Sequence, residues 1–408
     1  MTGGLFDRVQ VGGCSLRNRV VMAPMSQHAA GEDGAPTDWH VEHYGARARG
    51  GCGTILLEDT AVEPAGRTSH AALGLYAEAQ VPAFRRVVDV CHDHGAAVGL
   101  QLAHAGRKAF RDIRGLEAPG VGSSVGERSA ESAEDAPDRA DNANRERDRA
   151  PLSASALTFA DGWQKPVAAD EMSLARVREA FARATRLAGE AGFDVVEVHA
   201  AHGYLLHQFL SPLTNRRSDA YGGPLEHRAR LLLEVVEAVR ARWPAERPLF
   251  VRLPAGDGAE GPPPAEGSTP AEGPTSAEDS TSVKGSTSVE DSTSAEDSTS
   301  VKGSTSAEMA TVARWCMQRG ADLIDVAGGT PVLDGARAGP AEMLAFAGLL
   351  RAGREAPFAL GGVTDGRSAE ELLRASDATL VAVGRPLLAD PDWVLTAARE
   401  LNVKMPVL

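Results

Sequence analysis

Short apolar runs alternate along this chain with longer segments whose apolar residues recur every three or four positions. The short runs fall at 19–23, 54–58, 97–101, 194–199, 249–253, 323–326, 358–360 and 379–383. Each is β-branched or aliphatic almost throughout, as strands buried on both faces must be. Between them, "EAQVPAFRRVVDVCHDHG" places Val81, Phe84, Val87, Val88 and Cys91 on one helical face and stops at Gly95. "SLARVREAFARATRLAGEAG" repeats the pattern, with Ser173 as the expected N-cap, and "PLEHRARLLLEVVEAVRARW" does so again. Eight strands alternating with helices predict a closed parallel (β/α)8 TIM barrel, here a single domain spanning 1–408. An open doubly wound sheet is the competing arrangement, but no G-x-G-x-x-G follows the first strand.

Two polar stretches interrupt the alternation. From Gly267 to Glu308 the chain advances in six-residue steps such as "GSTPAE", "DSTSVK" and "GSTSAE". A β-helix needs a large aliphatic residue in every rung, and these steps offer only Val or Ala. The expectation is a disordered hexapeptide-repeat insertion, 258–306, after the fifth strand. "SAESAEDAPDRADNANRERDRA" lies in a charged flexible loop, 125–150, after the third strand. Both would hang from the face of the barrel that carries the strands' C-terminal ends.

The 408 residues are 43% hydrophobic, enough for a large core, and carry a net charge of −14. That charge argues against nucleic acid or an anionic membrane as the main partner. Cys14, Cys52, Cys91 and Cys316 stand far apart with no C-x-x-C pair, which speaks against a zinc or iron–sulfur site. The start, "MTGGLFDRVQVGG", has no signal-peptide pattern and no long apolar run occurs, so a cytoplasmic protein is expected.

In a barrel of this kind the site lies at the C-terminal ends of the strands. The fourth strand runs into "HAAHGY", which sends His199, His202 and Tyr204 toward the pocket. The seventh and eighth strands run into "GGVTDG" and "VGRPL", glycine turns suited to a phosphorylated ligand, with Arg385 able to add a charge-assisted bond. His199 and His202 could instead chelate a metal. No cysteine or acidic residue stands at ligand spacing, and Glu197 is expected on the other side of the strand, so no metal site is assigned. His207 is expected to be structural, and Asn215, Arg216 and Arg217 to fix the loop that follows.

"NRVVMAPM", "PTDWHVEHYGARARGG", "QLAHAGRK", "VHAAHGYLLHQFLSPLTNRRSDAYGGPLEHRARLLLEVVEAVR" and "VGRPLLADP" together resemble the Old Yellow Enzyme family, in its bacterial short-chain branch. The resemblance runs from Leu5 to about Leu401, apart from the two polar stretches. It implies a barrel that uses FMN and NAD(P)H to reduce an activated C=C bond of an enone-like small molecule. By the same resemblance Pro24, Met25 and Ser26 lie against the flavin, Gln101 bonds its pyrimidine edge, and Arg228 lies near its N1 side. Gly361, Gly362, Gly384 and Arg385 would hold the phosphate. His199 and His202 would bind the substrate carbonyl, whose oxygen gains charge as hydride arrives, and Tyr204 would protonate the α-carbon.

The chain also departs from that pattern. Ser26 replaces a cysteine that adjusts flavin reactivity, and its hydroxyl is expected to bond the flavin carbonyl. His28 replaces a substrate-binding tyrosine, and Asp59 replaces a small residue facing the flavin, where a carboxylate is unfavourable unless it turns away or finds a cation. Those changes suggest a specialised substrate. The ending "ARELNVKMPVL" lacks the aromatic and arginine tail that reaches a neighbouring subunit in the branch, against a shared dimer site, although a homo-oligomer is allowed for. Two other functions remain open: a desaturating or aromatising oxidase on the same fold, and a non-catalytic flavin-binding assembly component that recruits a partner through the repeat insertion.

Overall fold

A computed structural model describes residues 3–110, 150–257, 302–328, 331, 340–352 and 357–405. Eight strands close into a parallel barrel: β1 (Val20–Met22), β2 (Thr54–Ala61), β3 (Ala97–Ala103), β4 (Val195–His199), β5 (Leu249–Pro254), β6 (Leu323–Ala327), β7 (Phe358–Gly361) and β8 (Leu380–Val383). Each strand is followed by a helix: α1 (Asp38–Arg49), α2 (Val81–Asp93), α3 (Glu171–Ala191), α4 (Leu225–Arg240), α5 (Ser306–Gln318), α6 (Pro340–Ala352), α7 (Gly366–Ser376) and α8 (Trp393–Glu400). The TIM barrel read from the alternation is therefore the fold. Among the described residues no helix is long and apolar enough to cross a membrane.

Alternation along the strands divides the barrel interior into storeys. Val21, Leu56, Val195, Phe250, Leu323, Ala359 and Leu380 form an apolar layer at the strands' N-terminal ends. An antiparallel hairpin, Val9–Val11 with Cys14–Leu16, closes the barrel beneath it through Val11 and Leu16. Fully burying an aliphatic or aromatic side chain stabilises the fold by roughly 1.5–3 kcal/mol, so this plug is a main anchor. Two residues further along, the same inward face turns polar, with Gln101 on β3, Glu197 on β4, Arg252 on β5 and Asp325 on β6. The other strand face packs against the helices, where Phe84, Phe181, Phe193 and Phe346 are fully buried.

One cap and one boundary differ from those expected. Helix α3 starts earlier than its apolar pattern shows: Asp170 is its N-cap and accepts from the backbone N–H of Ser173, the residue expected to cap it. The charged loop at 125–150 lies outside the described residues except for Ala150, and the repeat insertion at 258–306 does so as far as 301. The end of that repeat belongs to the barrel and corrects the expected boundary. Thr305 caps α5 and forms a capping box with Glu308, while Ser304 is buried and its N–H donates to Asp257. The reason is that "STSAE" reads as a repeat unit and as a helix start alike, since Thr and Glu three apart suit both.

Gly99 tests the packing of the lower storeys. A β-carbon there would stand 2.3 Å from Leu56 Cδ2 and 3.1 Å from Val195 Cβ. Gly99→Ala is expected to cost about 1–3 kcal/mol in urea denaturation, and adding Leu56→Val should recover part of that loss. Equal stability of Gly99→Ala and the parent chain would show that the layer is looser than described.

Candidate active site

The turn after β4 is the centre of the site. His199 Nε2 lies 3.2 Å from His202 Nδ1, and the Tyr204 ring stands edge-on to His199 with centroids 4.8 Å apart. His202 has a left-handed backbone with φ of 56°, which non-glycine residues adopt at a cost of roughly 1–3 kcal/mol. Gly203 follows with φ of 71°, and a β-carbon there would stand 2.9 Å from Pro331 Cα. Three contacts hold this turn. Lys108 Nζ donates to the His202 carbonyl at 2.7 Å, the Gly203 N–H donates to His207 Nδ1 at 3.0 Å, and Gln208 Nε2 donates to the Gly203 carbonyl at 2.8 Å.

His207 is structural, as expected. It is fully buried, and its Nε2 lies 2.8 Å from Asp257 Oδ1, while Ser211 Oγ donates to the other oxygen of the same carboxylate. Asn215 bonds the carbonyls of Phe209 and Tyr221, and Arg217 those of Ala154 and Ala169, so this loop is tied down by its own side chains.

Beneath the histidines lies the polar storey. Gln101 Nε2 donates to Glu197 Oε1 at 2.7 Å, and Arg252 Nε stands 3.1 Å from Asp325 Oδ2. Glu197 is therefore on the same inward face as His199, two residues below it, and not on the far side. Burial, then the neighbouring Asp325, pushes the Glu197 carboxyl up to about 8, toward its neutral form. Burial, then His202, holds His199 well below the usual histidine range, so its ring is neutral too. His199 Nδ1, Arg252 Nε, Glu197 Oε2 and both Asp325 carboxylate oxygens are buried without a well-aligned hydrogen-bond partner among the described residues. Unsatisfied polar atoms gathered in one place are costly unless a ligand completes them.

Arg228 is not part of this storey. It sits in the first turn of α4 and is spent on the protein: Nε donates to the Gly223 carbonyl at 3.1 Å, Nη1 to Leu210 O and Ser304 Oγ, and Nη2 to Glu308 Oε1 at 2.6 Å. The flavin-side cation expected at Arg228 is thus misplaced, and Arg252, beside His199 in the strand register, is the arginine at the mouth. Its signal was present in the chain as a lone charge in the fifth apolar run.

The remaining elements meet around this centre. Met25 and Gly384 are neighbours, since a β-carbon on Gly384 would stand 3.3 Å from Met25 Sδ; the buried Pro24 precedes it. Gly362 has φ of 98° and open space where a side chain would stand, beside Gly361 at the end of β7. Arg385 opens a short helix, Arg385–Ala389, and is exposed. His28 also has a left-handed backbone, φ of 55°, and its Nδ1 lies 2.8 Å from Ser69 Oγ. Ser26 donates to Asp59 Oδ1, where a bond to the flavin was expected, and Asp59 Oδ2 accepts from Tyr204 at 3.3 Å and Thr68 at 3.4 Å. Among the described residues Asp59 therefore finds no cation. Burial raises its carboxyl to about 7, against the hydrogen bond from Ser26.

A barrel mouth that gathers Arg252, the His199 and His202 imidazoles, the Tyr204 phenol and glycine turns defines the class of a barrel oxidoreductase that binds a phosphorylated cofactor. The profile of the NADH:flavin oxidoreductase / NADH oxidase family matches residues 4–262, more than half of the chain. An NADPH dehydrogenase of Listeria monocytogenes serotype 4b is 36% identical over 400 residues, covering 98% of this chain and 95% of its own. The NADPH dehydrogenase of Bacillus subtilis is 33% identical over 412 residues, covering 100% and 97%. Among solved structures, morphinone reductase superposes with a TM-score of 0.69 at 27% identity, covering 100% of this chain and 92% of the other. The chain belongs to the NADH:flavin oxidoreductase, or Old Yellow Enzyme, family and is an NAD(P)H:flavin oxidoreductase with FMN as its cofactor.

The residues present fit that cofactor: Arg252 Nε and His199 Nδ1 are buried and lack aligned partners, and Gly362 leaves open space. If Arg228 serves the fold, Arg228→Met should lower stability by about 1–3 kcal/mol, as losing hydrogen bonds from a charged group does. The folded fraction should keep its FMN affinity in fluorescence titration. Arg252→Met should do the reverse, losing at least about tenfold in affinity.

Proposed function

We propose that the chain is an ene-reductase, taking hydride from NADPH and delivering it to an electron-poor C=C bond of an enone-like molecule. The observation that carries this reading is the arrangement of His199, His202 and Tyr204 on one turn. The two rings are in contact, and a phenol is packed against the first. NADPH is favoured as donor because relatives at 33–36% identity are named NADPH dehydrogenases.

FMN, when bound, supplies the hydride acceptor and donor. Gln101, Arg252, Pro24 and Met25 would hold its ring, and Gly361, Gly362, Gly384 and Arg385 its phosphate. His199 and His202 bind the substrate carbonyl through ring N–H groups. His199 is neutral, so it offers the carbonyl oxygen an N–H donor as that oxygen gains charge, without attracting anions beforehand. Tyr204 gives the proton to the α-carbon. His202 carries a strained backbone that Lys108, His207 and Gln208 sustain, so the donors do not reorganise during the reaction. His28, fixed by Ser69, lines the substrate side and distinguishes this pocket from one built on a tyrosine.

Tyr204→Phe separates the two half-reactions. Anaerobic stopped-flow should show flavin reduction by NADPH within a few-fold of the parent and enone reduction slower by roughly 10²-fold or more. Unchanged enone reduction would remove Tyr204 from the role of acid. A further comparison of products under nitrogen and under air tests direction: a substrate desaturated with oxygen uptake, and no enone reduced, would replace the reductive reading by an oxidative one.

A further inference from the structure

We propose that Asp59 is the proton store behind Tyr204: its carboxyl re-protonates the phenol after each proton Tyr204 delivers, and so sets the pH range of the reaction. The inference rests on the reading of Tyr204 as the acid.

The geometry comes from the strand. Leu57 pairs with Leu100 but Thr60 pairs with Leu102, so β2 carries one extra residue between them. Such a bulge re-aims the side chains around it. Consecutive acidic residues consequently meet different neighbours. Glu58 accepts from the Gln27 N–H at 2.7 Å and from Tyr44 Oη at 3.1 Å, with His40 Nε2 at 3.5 Å. Asp59 meets Tyr204, Ser26 and Thr68. No cation is among its partners within the described residues. Among the described residues, the charged or titratable groups that act on it are Glu58 on its own strand, Tyr44 of α1 behind Glu58, and Tyr204 of the β4 turn.

A carboxyl in those surroundings is driven toward its neutral form by burial and by Glu58, and its pKa rises to about 7. The two forms act oppositely on Tyr204. Neutral Asp59 carries an O–H that can donate to the phenol oxygen and stabilise the phenolate left after proton transfer. Ionised Asp59 only accepts, so it draws the phenolic hydrogen away from the substrate and opposes a second negative charge beside it.

The step balances. Two electrons arrive with the hydride at the β-carbon of the C=C bond. The Tyr204 O–H breaks as a C–H forms at the α-carbon, and the Asp59 O–H breaks as the Tyr204 O–H re-forms. Asp59 then regains a proton from solvent through the exposed Ser26 hydroxyl that bonds it. Asp59 touches neither reacting carbon, so it is a positioning residue acting through Tyr204.

The test uses holoenzyme, 2-cyclohexenone as the probe and single-turnover kinetics from about pH 5.5 to 9. The parent rate of enone reduction should be level below about pH 7 and fall about tenfold per unit above it. Asp59→Asn should be slower by roughly tenfold or more at low pH and lack the break. A second readout needs no turnover. Between the ordinary carboxylate value and about 7, the folded chain keeps a proton that the unfolded chain has released, so stability falls as pH rises through that window. Asp59→Asn should remove that part of the fall in Tm.

Asp59→Asn with the parent's rate and pH break overturns the relay while leaving Tyr204 as the acid. Tyr204→Phe with parental enone reduction overturns both. Should Asp59→Asn fail to fold, an infrared titration of the parent labelled with 13C-aspartate decides. A protonated-carboxyl band lost near pH 7 and shifted in Tyr204→Phe supports the store, and no protonated aspartate above the ordinary carboxylate range overturns it.

Discussion

Every feature of this site depends on the two-residue period of the inward strand faces. Val195, Glu197 and His199 on β4 point into the same barrel space at rising heights, as do Phe250 and Arg252 on β5 and Leu323 and Asp325 on β6. The lowest members seal the barrel with the hairpin around Val11 and Leu16. That apolar plug lets the fold place unsatisfied polar atoms above it. The stability lost by leaving His199 Nδ1 and Arg252 Nε without aligned partners is small beside the buried aliphatic and aromatic area below. A one-residue slip of any of these strands would exchange the two faces and dismantle plug and site together.

Charge in the middle storey is arranged with similar economy. Burial and the nearness of Asp325 drive Glu197 toward its neutral form, and burial raises Asp325 as well, with Arg252 opposing that rise. Arg252 therefore stands beside acids that burial drives toward neutrality, and His199 above it remains a neutral donor. The proposed reaction, in which a carbonyl oxygen gains negative charge, would thus use a site built in part from residues that carry charge in water.

Much of this could be read from the chain before any coordinates. Strand starts such as Thr54, Ala97, Leu249, Leu323 and Phe358 agree with the apolar runs, because strands buried on both faces leave an unbroken apolar signal. The turn at His199, His202 and Tyr204 was visible because it ends such a run. Three features were not. Arg228 and Arg252 each follow an apolar or helical cue, and only their partners separate a residue spent on Glu308 from one at the barrel mouth. Glu197 was assigned the wrong face although a spacing of two from His199 puts both on one side. Asp59 seemed to belong to the loop after β2, since a bulge leaves no mark in hydrophobic pattern, and its partners Ser26, Thr68 and Tyr204 come from three separate segments.

The account stands or falls on the pocket passing hydride to a carbon acceptor. The most direct measurement is an anaerobic absorbance titration of the purified holoprotein, first with NADPH and then with a panel of enones. The account predicts that the flavin bands bleach with NADPH and return, under nitrogen, when an enone is added. Bands that bleach but return only when oxygen is admitted, whatever enone is present, would contradict it.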